Sequence, residues 1–163
     1  MVNYRDAYGL YACNGILFNH ESALRPPRFV TRKITQGAVR IARGGTEKLM
    51  LGDLSIRRDW GWSPEYVDAM WRMLQVDEPQ GFVIATGVSS SLQEFVEAAF
   101  AEVNLDWKEH VLQDAQFFRP TEIRHSRGDA SKAYTHLGWK AKMTMRDVAR
   151  AMVQHELDLT MAL

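Results

Sequence analysis

Apolar and polar positions along this chain fall into segments of two different periods. Over residues 29–43 the apolar positions Phe29, Val30, Ile34, Ala38, Val39 and Ile41 recur at helical spacing, and Gly44-Gly45 closes the run. A second helix is expected after Ser63, a good N-cap followed by Pro64 at the first helical position, with Tyr66, Val67, Met70 and Trp71 as its apolar face. A third spans 92–103, with Ser91 as cap and Glu94 at capping-box spacing. Residues 131–137, ended by Gly138, and 145–157 complete the helical set, while residues 3–9 read as the last two turns of another helix stopped by Gly9. A chain that starts in mid-helix is expected to be truncated. Strand character appears at 10–18 (through Tyr11, Cys13, Ile16 and Leu17), at 49–51 and in the apolar run GFVIAT at 81–86. Residues 19–28, with Pro26-Pro27, and the RRDWGW stretch are expected as loops, 117–128 as irregular, and 108–116 fits neither period. Strands and helices alternate at first and helices dominate later. The class is α/β, in one unit without repeats or linkers.

Charge narrows the range of partners. The 163 residues carry 20 basic and 20 acidic side chains and no net charge, which argues against nucleic acid or an anionic membrane as the main partner. Local clusters of arginine still permit one anionic pocket. No apolar stretch is long enough to span a bilayer, and the N-terminus has no basic region followed by an apolar one, so the cytoplasm is expected. Cys13 cannot form an internal disulfide and is expected as a small buried hydrophobe. The five histidines match no metal spacing, so no metal site is expected, and the scattered tryptophans suit packing rather than base stacking.

Three loops concentrate the polar chemistry. The first follows strand 10–18, at the carboxyl edge where open α/β sheets bind ligands. Asn19 offers a donor and an acceptor suited to a sugar or diphosphate, and fits equally an Asx-turn holding the loop. His20 beside Glu21 reads as a base with an orienting carboxylate or as a lone solvated imidazole. Arg25, Arg28, Arg32 and Lys33 form either a phosphate clamp or a solvated helix face. In the second loop, one of Arg57 and Arg58 is expected to take a phosphate while the other pairs with Asp59; a structural Arg-Asp bridge is the alternative. In the third, FFRPTE, Arg119 reaches an anion and Glu122 accepts from ribose hydroxyls, or the segment is a surface loop with Phe117 and Phe118 tucked inward. Together the three cationic loops point to a diphosphate-bearing ligand.

The segments NYRDAYGLYACNGILFNHES, FVTRKIT, LMLGDLSIRRDWGWSPEYVDAMW, FVIATG, FFRPTEI and GDASKAYTHLGWK, in that order, resemble the GDP-mannose 4,6-dehydratase family over about residues 2–153. FNHES with VTRKI and RRDWG is specific to that family, whereas GDASKA…LGW is shared more widely among extended short-chain dehydrogenases. The resemblance is to the C-terminal half. It implies the C-terminal part of an extended short-chain dehydrogenase (Rossmann-like) fold, with the last sheet strands followed by a mostly helical substrate-binding subdomain. Residues 1–45 then correspond to the tail of the nucleotide-binding domain with its substrate loop, and residues 46–163 to the substrate-binding region. For the full enzyme it implies an NADP-dependent lyase, homo-oligomeric in the family, that converts GDP-mannose to GDP-4-keto-6-deoxymannose on the route to GDP-fucose. By the same resemblance Asn19 contacts the substrate diphosphate, His20 and Arg25 contact NADP, and Lys33, Arg58, Arg119 and Glu122 line the GDP site.

Two departures stand out. Where the family reads SPRRGETFV, this chain has Ser22-Ala23-Leu24-Arg25-Pro26-Pro27-Arg28-Phe29-Val30, which keeps the length and one Arg but loses the other Arg and the Gly. No Gly-x-Gly-x-x-Gly and no Tyr-x-x-x-Lys occurs in the 163 residues, so no residue here takes the family's catalytic role. The chain is expected to be inactive alone. The competing readings are a non-catalytic nucleotide-sugar binding or interaction module, and half of a related sugar-nucleotide epimerase.

Overall fold

The structure, a computed structural model, describes residues 1–118 and 121–161. Helix α1 (Val2–Tyr8) ends at Gly9, whose φ of 63° is the left-handed conformation of a helix C-cap. The chain then extends into strand β1 (Asn14–Leu17) and, after Phe18 alone, strand β2 (Asn19–Glu21). Next come helix α2 (Val30–Ala42), strand β3 (Leu49–Leu51), strands β4 (Arg57–Arg58) and β5 (Trp60–Trp62), and helix α3 (Ser63–Met73). Strand β6 (Gly81–Ile84), strand β7 (Ser90–Ser91) and helix α4 (Leu92–Ala101) follow. Strand β8 (Val111–Gln113) lies between 3-10 turns at Trp107–Glu109 and Ala115–Phe117, and helices α5 (Ser131–Leu137) and α6 (Met145–Met161) complete the described chain.

Pairing is mostly parallel. β1 lies beside β6, β2 beside β5 and β3 beside β8, whereas β4 and β7 run antiparallel. The run from Asn14 to Glu21 therefore changes partner at Phe18, where it leaves β6 and joins β5. This switch sets Asn19 at the carboxyl end of the β1–β6 pair.

Two apolar clusters hold the elements. One packs Tyr66, Ala69 and Met73 of α3 against Phe82 and Ile84 of β6, with Trp139 behind. The other joins α2, α4 and α6 through Ile34, Phe95, Phe100, Val148 and Met152. Burying each phenylalanine contributes about 2–3 kcal/mol of transfer free energy. The capping box at α4 forms as expected: Glu94 N–H donates to Ser91 Oγ at 3.1 Å, and Ser91 N–H to Glu94 Oε2 at 2.6 Å.

Several expectations need correction. The strand expected at 10–18 is limited to Asn14–Leu17, and Leu10 and Tyr11 are exposed. Residues 19–21, expected in a loop, form β2, because β5 offers them a partner that local sequence does not reveal. The RRDWGW stretch likewise forms β4 and β5 around Asp59. Trp62, not Ser63, occupies the N-cap of α3, and no side chain caps that end. Of the apolar face read for α3, only Tyr66 is buried; Val67, Met70 and Trp71 are exposed, and the packed face runs through Tyr66, Ala69 and Met73. Ala69, three residues from Tyr66, takes the packed position that the larger Met70 and Trp71 do not. Cys13 lies just before β1, half-buried, with Sγ 3.1 Å from the Met73 carbonyl.

Candidate functional site

β2 presents alternate residues to opposite sides, as any strand does. Asn19 and Glu21 line a cavity of about 890 Å³. His20 turns the other way and stacks on Tyr66, with ring centroids 4.8 Å apart and its Nδ1 2.8 Å from the Phe18 carbonyl. That packing needs Gly61, the β5 residue opposite His20: a Cβ there would sit 2.4 Å from the Tyr66 ring. His20 and Glu21 are thus not a base with its orienting carboxylate; the strand separates them. Among the described residues nothing bonds to the Asn19 amide, which removes the Asx-turn reading.

Glu21 is 2% exposed, and burial pushes its carboxyl above the ordinary range, against the opposing pull of its neighbours. Those neighbours are Thr31, whose Oγ1 donates to Oε2 at 2.7 Å, and Arg25, whose Nε lies 3.0 Å from the same oxygen. Arg25 also lies over the Phe29 ring, 3.9 Å from its centroid. The guanidinium is held by one edge and one face, and its terminal nitrogens have no partner among the described residues. Lys33, one turn into α2, lines the same cavity; its Nζ donates to the Met50 carbonyl at 2.7 Å and sits over the Phe117 ring.

On the far wall, Arg58 Nη1 donates to the carbonyls of Arg57 and Ile123 at 2.8 and 2.5 Å, and Nη2 to Glu122 Oε1 at 2.5 Å. Arg57 points away, to the Ser89 carbonyl and to Glu94. Neither arginine pairs with Asp59. That carboxylate is fully buried and accepts from Thr86 N and Oγ1, Gly87 N and Gly128 N, so it ties β5 to the end of β6 and to the segment bearing Glu122.

The cavity thus gathers five of the seven residues predicted for ligand: Asn19, Arg25, Lys33, Arg58 and Glu122. His20 is outside its lining, and Arg119 lies outside the described residues. Arg32, read as a phosphate candidate, is instead buried against Glu156. Phe117 and Phe118 are half-exposed rather than tucked inward. Arg124, Asp53, Thr31 and Phe29 line the cavity without having been singled out. Phe29 carried a signal, its spacing of four from Arg25. Arg25, Arg28, Lys33, Arg58 and Arg124 face Glu21, Asp53 and Glu122, an excess of two positive charges in a chain that is neutral overall. Such a cavity suits a diphosphate.

The family profile for GDP-mannose 4,6 dehydratase matches residues 1–152. The chain belongs to the GDP-mannose 4,6-dehydratase family. It is 52% identical to GDP-mannose 4,6 dehydratase 1 of Arabidopsis thaliana over 97% of its own length, and 43% identical to the human GDP-mannose 4,6 dehydratase over 98%. The aligned parts are 44% and 47% of those proteins, so the chain spans about half the length of the curated relatives it matches. Among solved structures, RMD from Pseudomonas aeruginosa complexed with NADPH superimposes with a TM-score of 0.84 at 20% identity, covering 96% of this chain and 51% of that one. The UDP-glucose 4-epimerase of Thermotoga maritima with UDP-glucose gives 0.82 at 20%, over 96% and 49%. These likenesses establish the extended short-chain dehydrogenase, Rossmann-like fold, of which this dehydratase-family chain forms about half. Among the described residues no helix is long and apolar enough to cross a membrane.

Proposed function

We propose that this chain is the nucleotide-sugar-binding half of an NADP-dependent GDP-mannose 4,6-dehydratase, a cytoplasmic homo-oligomer that forms GDP-4-keto-6-deoxymannose and water on the route to GDP-fucose. The observation that carries the reading is the convergence of Asn19, Lys33, Arg58 and Glu122, from four separate segments, on one cavity with excess positive charge. In this reading Arg58 and Lys33 neutralise the diphosphate, the Asn19 amide donates to it, and Glu122 accepts from the ribose hydroxyls. Arg119, outside the described residues, is a further proposed contact to the GDP on the family resemblance alone.

His20 and Arg25 are the proposed contacts to NADP. They stand on opposite sides of β2, and Arg25 alone reaches the cavity. Two contacts so placed do not make a dinucleotide cradle, and no Gly-x-Gly-x-x-Gly occurs to supply one. The residues present therefore do not fit NADP by themselves. What the chain supplies is binding and orientation of the substrate.

Calorimetry of the purified chain tests this. Saturable GDP-mannose binding that is lost in Arg58→Ala is expected, with no turnover when NADP is added. Measurable turnover would overturn the half-enzyme reading. Failure to bind GDP-mannose would overturn the assignment of the cavity, and a preference for UDP-sugars would favour the epimerase reading.

A further inference from the structure

The cations around the cavity are not equally available to a ligand. Arg58 commits N–H groups to the Arg57 and Ile123 carbonyls and to Glu122. Lys33 gives one N–H to the Met50 carbonyl and rests on the Phe117 ring. Arg28 and Arg124 are exposed, and an anion must first order them. Arg25 differs from all four. Only its Nε edge is engaged, 3.0 Å from Glu21 Oε2, and its terminal nitrogens have no partner among the described residues. A guanidinium held by that edge keeps four of its five N–H groups for a ligand.

What holds Arg25 is itself held. Glu21 is 2% exposed on β2, opposite Trp62 of β5, and its Oε2 accepts from Thr31 Oγ1 at 2.7 Å. Thr31 is buried in the first turn of α2. Phe29, at the N-cap of the same helix, packs its ring against the guanidinium, 3.9 Å from centroid to carbon. An edge contact and a face contact together fix the plane of the group. A side chain fixed in this way loses little rotamer freedom on binding, and its two terminal nitrogens match two oxygens of a phosphate.

We propose that Arg25 is the principal phosphate-binding cation of this cavity and that Glu21 is its positioning residue. This rests on the nucleotide-sugar reading above, and it moves Arg25 from NADP to the substrate diphosphate. It also accounts for a buried carboxylate in a cavity built for anions. By charge alone Glu21 opposes an incoming phosphate. By holding the Nε edge it keeps the rest of the guanidinium ready on the cavity wall, which Arg25 lines. The second effect outweighs the first, because Arg25 and Thr31 already answer the charge.

Titration calorimetry of the full chain with inorganic pyrophosphate and with GDP-mannose tests the proposal, on the wild type, Arg25→Ala, Glu21→Gln and the double variant. Arg25→Ala should weaken both ligands about tenfold or more, the scale of hydrogen bonds to a charged group. Glu21→Gln should weaken both about fivefold, the scale of ordering a side chain that nothing holds. With Arg25 absent the same change should leave binding equal or tighter, since only repulsion is left to remove. A residue that merely supports the fold would weaken binding in both backgrounds, and that result would overturn the positioning role. Tighter binding by Glu21→Gln alone would overturn it too. Wild-type affinity in Arg25→Ala, while Arg58→Ala loses binding, would overturn the assignment of Arg25 and leave the cavity standing. If a variant fails to fold by circular dichroism, arginine side-chain nitrogen resonances of the wild type decide: pyrophosphate should shift those of Arg25, and an unmoved Arg25 would overturn the proposal. Absence of pyrophosphate and GDP-mannose binding by the wild type would overturn the reading of the cavity and the proposal with it.

Discussion

Arg32 Nε on α2 lies 2.6 Å from Glu156 Oε1 on α6, with each side chain only 9% exposed, and the same guanidinium donates through Nη1 to the Ala23 carbonyl. The pair joins two helices of the larger apolar cluster and anchors the loop that follows β2. Arg32 is thus a strut behind the cavity rather than a ligand group. Replacing it with Ala takes one counter-charge from the buried Glu156 carboxylate and should cost up to about 3–5 kcal/mol. Replacing both residues with Met should cost far less. Chemical denaturation of the three proteins checks this, and a single variant within about 1 kcal/mol of wild type would show the pair to be incidental.

Asp59 gathers its hydrogen bonds from the end of β6 and from Gly128. Asp59→Asn keeps an acceptor but puts an amide NH2 where backbone N–H groups already point, so at least one donor loses its partner. A loss of about 1–3 kcal/mol is expected. Because the Gly128 bond holds the far end of the segment that bears Glu122, GDP-mannose affinity should fall with stability. Affinity held at the wild-type level in the folded variant would separate the two.

Glu21 gives a dependence on pH whose sign is set by burial. Its folded-state carboxyl titrates above the ordinary value of 4.5, so the native state holds the proton more tightly than the unfolded chain. Its contribution to stability is greatest below 4.5 and declines as pH rises through the window from there to the folded value. Urea unfolding of wild type and Glu21→Gln across that window checks this. The wild type should lose stability relative to the variant as pH rises; the opposite slope would mean that Arg25 and Thr31 outweigh burial.

The exposed side of α3 carries Val67, Met70, Trp71 and Leu74, spaced as one stripe. A continuous apolar stripe in water drives association. The purified chain should sediment with a concentration-dependent mass, and Trp71→Lys with Leu74→Lys should bring it to a monomer without loss of helix content. A sharp monomer transition independent of concentration in the wild type would contradict this.

The α4 capping box, the Gly9 and Gly138 stops and the extent of α2 were all legible in the sequence, because each is settled within one or two turns of chain. β2, β4 and β5 were not. Two or three residues carry no usable period, and their pairing depends on partners some 30–40 positions away. The same reason divides the cavity: Lys33, Arg58 and Glu122 announce a cationic site by residue type, but that Arg58 is answered by Glu122, and Arg32 by Glu156, is a fact of three dimensions. Asp59 does not pair with the adjacent Arg58, because neighbours in sequence face opposite sides of a strand.

The change of partner at Phe18 also restricts how this region can diverge. Inserting or deleting one residue between Leu17 and Asn19 would rotate the following strand by one side, bringing the imidazole of His20 into the cavity and sending the Asn19 amide and the Glu21 carboxylate against Tyr66. Length is therefore fixed up to Glu21 by the pairing with β5, and constrained less beyond it, in residues 22–28, which hold no helix or strand.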